Sequence, residues 1–366
     1  MGTSTAPSGA GMADALNGKA LGASPVGGAE ADNAPPRAAP HRQQMQHDPQ
    51  LGYRFLPGLK VRVAHEGGGY LVKTNNEGYR SNNEVTPRKS KARRVLVFGD
   101  SYTAGDGVSN GKRYSDVLER NLNDTEVLNF GLSGTGTDQQ LLIFRQYSTT
   151  VDHDAVVISI LVENIQRNVL KERTWVDQDG QPLIVPKPWF DLSNSGVLAL
   201  MGVPVPPPYK MNPENKSADA GGAGRFPAIR RLVNRLGPDI KDFIQKVTRY
   251  QPFPEYDSPL SPGWKLMQAI LDKWIGEAKA PVTVFVIPFY QHVEKTASYK
   301  NIRRRFDEFA KSSGALVYHV VDDLWAHPAH VRRSFRFRTD CHLTPLAHKV
   351  IGESLARVIA PVLGKS

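Results

Sequence analysis

The sequence predicts an α/β fold, a doubly wound three-layer sandwich built around a central parallel sheet. Short, predominantly apolar runs recur at residues 95–98, 155–162 and 282–288, as strands buried on both faces require. Between them lie segments with apolar residues at helical spacing, and strand alternating with helix is the pattern of a parallel sheet closed by crossovers. The first run ends at once in Gly99-Asp100-Ser101, residues suited to a sharp turn. At 366 residues and 40% hydrophobic, the chain is long and apolar enough for a sizeable core.

Taken in order, residues 1–50 are Ala, Gly, Pro and Ser with almost no large apolar side chains. Such a composition does not repay the entropy of ordering, and the segment reads as a disordered tail. Residues 51–93 carry aromatic pieces, Gly52-Tyr53-Arg54-Phe55 and Asn76-Glu77-Gly78-Tyr79-Arg80, and are expected as short strands or a lead-in packed on the core. The catalytic domain is placed at residues 94–366. Within it, the strand at 95–98 is followed by a helix at 114–122 and a second strand at 126–130, stopped by the Gly-rich stretch 131–136. A helix at 138–147 and a third strand at 155–162 follow. Regularity then breaks over residues 169–261, which hold a Pro-rich piece at 204–208, a Gly-rich patch at 221–224 and a basic helical pattern at 228–247. This is an insertion expected to cover the site. Alternation resumes with a helix at 263–279, strand 282–288, helix 295–311, strand 316–321 and a final helix at 345–363. No internal repeat is present.

The net charge of +10 is spread over residues 88–94, 210–249, 303–305 and 332–338. No nucleic-acid module accompanies it, so it reads as solvated surface and no nucleic-acid partner is expected. No run of eighteen apolar residues occurs, and the N-terminus lacks the pattern of a secretory signal, so a soluble, cytoplasmic protein without a transmembrane segment is expected. Met1-Gly2 resembles a myristoylation start, but Ala6 stands where that motif needs Ser or Thr. The single cysteine, Cys341, excludes an internal disulfide and a thiolate zinc cage, and it reads as a small residue packed in a turn.

In an open parallel sheet, reactive groups collect on loops at the carboxyl ends of the strands. Three such loops carry suitable chemistry. Gly99-Asp100-Ser101-Tyr102-Thr103-Ala104-Gly105 sets a serine directly after a buried strand. Asn129-Phe130-Gly131-Leu132-Ser133-Gly134 places a glycine amide where it can meet a developing oxyanion, and Glu163-Asn164-Ile165 supplies an amide side chain for the same purpose. A serine nucleophile also needs a base oriented by a third group. Thr339-Asp340-Cys341-His342-Leu343-Thr344 provides both just before the last helix. Read alone, that segment is equally a capped helix start beside a loop histidine.

Together these blocks resemble the SGNH (GDSL-type) serine hydrolase family from about Arg94 to the C-terminus. The resemblance implies a flavodoxin-like sheet, Ser101 as nucleophile, His342 as its base and Asp340 as the residue that orients the imidazole. It also implies an oxyanion hole from the amides of Ser101 and Gly134 and the side chain of Asn164. Two departures stand out. The family's third block is usually Gly-x-Asn-Asp, whereas here Glu163 falls at the asparagine and Asn164 at the aspartate, and a carboxylate facing an oxyanion opposes catalysis. The last block is usually Asp-x-x-His, whereas Asp340-Cys341-His342 is one residue shorter, as in relatives acting on polysaccharide acetyl groups.

Other patterns are weaker. Ser109-Asn110-Gly111-Lys112 has the Ser-x-x-Lys form of penicillin-recognising enzymes without the partner motifs. His327-Pro328-Ala329-His330 reads as a surface turn, and no metal is expected. No nucleotide fingerprint is present, so no cofactor is expected. The leading function is hydrolysis of an acetyl or short acyl ester on a small molecule, a carbohydrate or a secondary metabolite. Acyl transfer from the same intermediate is the alternative. A non-catalytic binding module on the same fold is a third reading, resting on Glu163.

Overall fold

The computed structural model describes residues 19–20, 44–176, 180–210 and 251–364. Five parallel strands form the central sheet: β1 (Arg93–Gly99), β2 (Thr125–Gly131), β3 (Ala155–Leu161), β4 (Val282–Ile287) and β5 (Leu316–His319). Their spatial order is β5-β4-β3-β1-β2, the 2-1-3-4-5 arrangement of flavodoxin-like sheets. β1 lies between β2, in register from Arg93↔Thr125 to Gly99↔Gly131, and β3, in register from Val95↔Ala155 to Phe98↔Ile158. Every residue of β2 and β3 is buried, which explains why these runs show no polar alternation.

The crossover after β1 moves one way across the sheet, and the later crossovers move the other way. Right-handed connections therefore put their helices on opposite faces. α2 (Tyr114–Asn121) packs with the C-terminal helix α10 (Pro345–Leu363) on one side, and α3 (Thr137–Tyr147) packs with α5 (Pro262–Glu277) on the other. Among the described residues, the remaining α-helices are α1 (Ser101–Ala104), α4 (Asn164–Arg167), α6 (Tyr290–Val293), α7 (Lys300–Ser313), α8 (Val321–Trp325) and α9 (Ala329–Arg333). None of the described helices is long and apolar enough to cross a membrane.

Residues 44–50, within the expected tail, are among those the structure describes. Met45–Asp48 pairs with Gly52–Phe55 in a hairpin. Asp48 accepts the N–H groups of Gln50 and Leu51 at 2.8 and 2.9 Å and pairs with Arg54 at 2.6 Å. These local bonds satisfy the turn, and Leu51, Tyr53 and Phe55 bury themselves in the core, so Met45–Asp48, expected in the tail, pairs with the start of the lead-in segment. The rest of the tail, apart from residues 19–20, lies outside the described residues. A second lead-in hairpin joins Lys60–Val63 to Tyr70–Lys73. In the insertion, Glu172–Val176 pairs with Pro182–Pro186, and Trp189–Leu192 with Leu198–Met201. The basic helical pattern at 228–247 and the glycine patch at 221–224 lie outside the described residues.

Candidate active site

The sheet order reverses direction between β1 and β3, and the site stands at that switch point, where loops from the strand ends diverge and leave a crevice. β1 delivers Ser101 through a tight strand-to-helix turn. Asp100 caps α1 by accepting the Tyr102 N–H at 3.0 Å, so Ser101 sits in the first turn, 5% exposed. The turn presses directly on the end of β2. A Cβ at Gly131 would stand 2.3 Å from the Ala104 nitrogen, leaving room for glycine alone. Asn129 ties the two together, donating to the Thr103 carbonyl and the Ser115 hydroxyl, both at 2.7 Å, and accepting the Gly131 N–H at 2.8 Å.

Asp340 and His342 sit on a narrow loop between α9 and α10, closed by the antiparallel bridge Arg336↔Leu343 and by the Phe337 N–H donating to the His342 carbonyl at 3.2 Å. The Tyr102 hydroxyl donates to the Cys341 carbonyl at 2.8 Å, fastening this loop to α1. His342 Nε2 lies 2.9 Å from Ser101 Oγ, and His342 Nδ1 lies 2.6 Å from Asp340 Oδ1. The His342 backbone N–H also donates to Oδ1 at 3.0 Å. Three side chains chosen from sequence thus form one continuous hydrogen-bonded chain. Burial alone would lower the His342 pKa, but the hydrogen bond and charge of Asp340 outweigh it and raise the value. For Asp340 burial acts upward, and its bonds to His342 and His65 hold it far below the usual carboxylate range.

On the loop that follows β2, Gly134 has φ +81°, a conformation that glycine adopts without strain. Among the described residues, neither the Ser101 nor the Gly134 N–H has an internal acceptor, leaving two donors free for an incoming oxygen. Asn164 is fully buried, and its Nδ2 donates to the Thr135 carbonyl at 3.2 Å, on the backbone next to Gly134. The Glu163 carboxylate pairs with Arg167, whose Nη1 also bonds Asp100 Oδ2 at 2.7 Å. The carboxylate of Glu163 is thus engaged by a guanidinium that it shares with Asp100. The i, i+4 spacing of Glu163 and Arg167 was a legible signal for this pair.

Sequence reasoning missed three further residues. Arg173, from the insertion hairpin, donates to the Gly134 carbonyl. His65 Nε2 bonds Asp340 Oδ2 at 3.0 Å. Glu66 accepts the N–H of Asp340 at 2.8 Å. His65 and Asp340 are 275 positions apart, and no local pattern announces such a contact.

Among the described residues, the group with metal-ligand spacing is Asp340, Cys341 and His342. Two of its members are already bonded to each other, and burial, followed by the Asp340 and Glu163 charges, pushes the Cys341 thiol up to about 12. Such a thiol stays protonated at neutral pH and is a poor ligand. His327 packs edge-on against Phe335 and His330 lies on the exposed helix α9.

No curated protein matches the chain. Solved structures similar to it include a lipolytic protein of the G-D-S-L family from Veillonella parvula, with 11% identity over 73% of this chain and 98% of that one and a TM-score of 0.39. A lipase/acylhydrolase from Enterococcus faecalis has 14% identity over 74% and 96% of the two chains, with a TM-score of 0.40. An aryl esterase from M. smegmatis has 14% identity over 74% and 100%, with a TM-score of 0.35. The model of the GDSL-like lipase/acylhydrolase family matches residues 95–355, well over half of the chain, including Ser101, Asp340 and His342, so this chain belongs to that family and is an ester-hydrolysing enzyme.

Proposed function

We propose that the protein removes an acetyl or short acyl group from a carbohydrate or secondary metabolite through an acyl-enzyme on Ser101. The observation that carries this reading is the continuous contact from Ser101 Oγ to His342 Nε2 at 2.9 Å and from His342 Nδ1 to Asp340 at 2.6 Å. His342 takes the serine proton as Oγ attacks the acyl carbon, and the imidazolium is stabilised by Asp340. The free N–H groups of Ser101 and Gly134 receive the oxyanion, each donor contributing about 2.7–4 kcal/mol to the barrier. His342 then protonates the departing alcohol. Water, activated by the same imidazole, attacks the acyl-serine and releases the acid. The one-residue spacer in Asp340-Cys341-His342 favours a carbohydrate ester by analogy with family members of that spacing.

Acyl transfer shares this intermediate and differs only in the second nucleophile. It is favoured by the enclosure of Ser101, 5% exposed, since a site that excludes water lets a bound alcohol compete. The binding-module reading rested on Glu163, whose carboxylate pairs with Arg167, and membership of a lipase/acylhydrolase family speaks against it. The test is turnover of p-nitrophenyl acetate by the full chain beside Ser101→Ala, with and without a sugar alcohol as acceptor. Ser101-dependent release of acetate supports hydrolysis, acetylated acceptor supports transfer, and equal turnover by the variant contradicts both.

A further inference from the structure

We propose that His65 and Glu66 are positioning residues that lock Asp340 and His342 in working geometry, so that the lead-in hairpin is part of the active site. The proposal rests on the assignment of Ser101 and His342 as nucleophile and base.

His65 and Glu66 occupy the turn between Lys60–Val63 and Tyr70–Lys73. The Gly67 N–H donates to His65 Nδ1 at 3.2 Å. That bond fixes the tautomer: the proton sits on Nε2, aimed at Asp340 Oδ2 3.0 Å away. The ring is wedged edge-on against Phe337, centroids 4.4 Å apart, and against Tyr70 at 5.7 Å. Glu66 grips the backbone of the same loop. Its carboxylate accepts the N–H groups of Arg338, Thr339 and Asp340 at 3.1, 2.9 and 2.8 Å, and the Thr339 hydroxyl at 2.8 Å. Burial acts upward on the Glu66 pKa, and these donors hold it below the ordinary value.

The amide and both carboxylate oxygens of Asp340 therefore have fixed roles. Its N–H is held by Glu66, Oδ2 by His65, and Oδ1 faces the two donors of His342. The loop is otherwise exposed to solvent on one side, with the Asp340 side chain 30% accessible. A carboxylate with one oxygen unrestrained can rotate and offer His342 a poorer lone pair. Misplacement of a catalytic group by about 1 Å costs on the order of 10²-fold in rate. The Nε2–H of His65 removes that freedom from one side while the Glu66 grip removes it from the backbone.

The experiment uses the full chain with His65→Ala, His65→Phe, His65→Gln and Glu66→Gln. It reads kcat and KM on p-nitrophenyl acetate, the thermal midpoint, and the low-field proton NMR resonance of the His342 Nδ1–H. His65→Phe keeps ring contact with Phe337 without the donor, and decides the matter if His65→Ala fails to fold. His65→Gln returns an N–H at the same reach. The expected result is a loss of kcat of about 10²-fold in the Ala and Phe variants at nearly constant KM, with most of it restored by Gln. The low-field resonance should broaden or move upfield in Ala and Phe and recover in Gln, and Glu66→Gln should fall between. A kcat within about twofold of the parent in a folded His65→Phe, or a Gln variant no better than Phe, overturns the proposal. Should the parent protein itself turn over no ester, the catalytic reading fails, and the resonance alone still decides whether His65 sets the Asp340–His342 bond.

Discussion

Replacing Asp340 with alanine removes the acceptor of three donors at once: the Nδ1–H and backbone N–H of His342 and the Nε2–H of His65. The electrostatic part can be worked from the geometry. A carboxylate and an imidazolium about 4 Å apart attract by about 4 kcal/mol at an effective dielectric constant of about 20. That is about a thousandfold in rate. Loss of the Nδ1 partner also frees the tautomer and ring orientation, and in serine triads disturbing that arrangement costs about 10⁴-fold. The two effects overlap, so kcat/KM of Asp340→Ala should fall between about 10³- and 10⁴-fold. The variant also tests the cause of the raised His342 pKa. Neutral imidazole is the working base, so activity is lost as pH falls through that pKa. Without Asp340 the largest upward influences on the ring are gone, and burial, which lowers the value, is opposed only by the weaker pull of Asp106 and Asp100. The acid limb of kcat/KM should therefore move to lower pH. The assay is p-nitrophenyl acetate hydrolysis from about pH 5 to about pH 9, a range that brackets the histidine transition. A loss under about tenfold with an unmoved acid limb would refute the reasoning.

Gly134→Ala forces a side chain onto a left-handed backbone with its Cβ 2.9 Å from the Tyr53 hydroxyl. The amide must shift, and kcat should drop on the order of 10²-fold with little change in KM, read by steady-state kinetics. Arg94→Met leaves Glu126, whose side chain is 2% exposed, without its 2.8 Å partner. Urea unfolding should show a loss of about 3–5 kcal/mol, and a loss below about 1 kcal/mol would contradict the role given to the pair. Cys341→Ser should keep kcat within about threefold, because a protonated buried thiol takes no part in the chemistry, and loss of turnover in a folded variant would reopen the metal reading. Burial acts upward on Asp116 and Glu126, but hydrogen bonds and their arginine partners hold both pKa values below the ordinary ones. Folding stability from these groups is present above the unfolded carboxylate pKa of about 4 and drains away as pH falls below it. The thermal midpoint should drop steeply under about pH 4, and a flat midpoint down to about pH 3 would sink that attribution.

The sheet was legible because its strands are buried on both faces. The run expected at 95–98 is the centre of Arg93–Gly99, and those at 126–130 and 155–162 match Thr125–Gly131 and Ala155–Leu161 to within a residue at each end. The helix expected at 295–311 starts later, at Lys300, because Lys295 adopts φ +61° and ends the short helix Tyr290–Val293. Helices α8 and α9, of five residues each, are too short for an apolar period to register. Ser101, Asp340 and His342 were readable because each sits in a short block with its own chemical logic. Glu163 finds Arg167 at i, i+4, a spacing the sequence displays, whereas nothing in Asn164 tells that it finds a carbonyl on the neighbouring loop. Likewise the N-terminal hairpin meets a C-terminal loop through tertiary folding alone, which no local spacing encodes.

The most direct test of the central claim is to trap the acyl-enzyme. The protein is quenched in acid during turnover of p-nitrophenyl acetate, digested and mapped by mass spectrometry, with a fluorophosphonate label run in parallel. The account predicts one acetyl group and one phosphonyl group, both on Ser101, and neither on Ser101→Ala. Turnover that continues in Ser101→Ala, or a parent protein that hydrolyses the ester while Ser101 remains unmodified by either reagent, would contradict it.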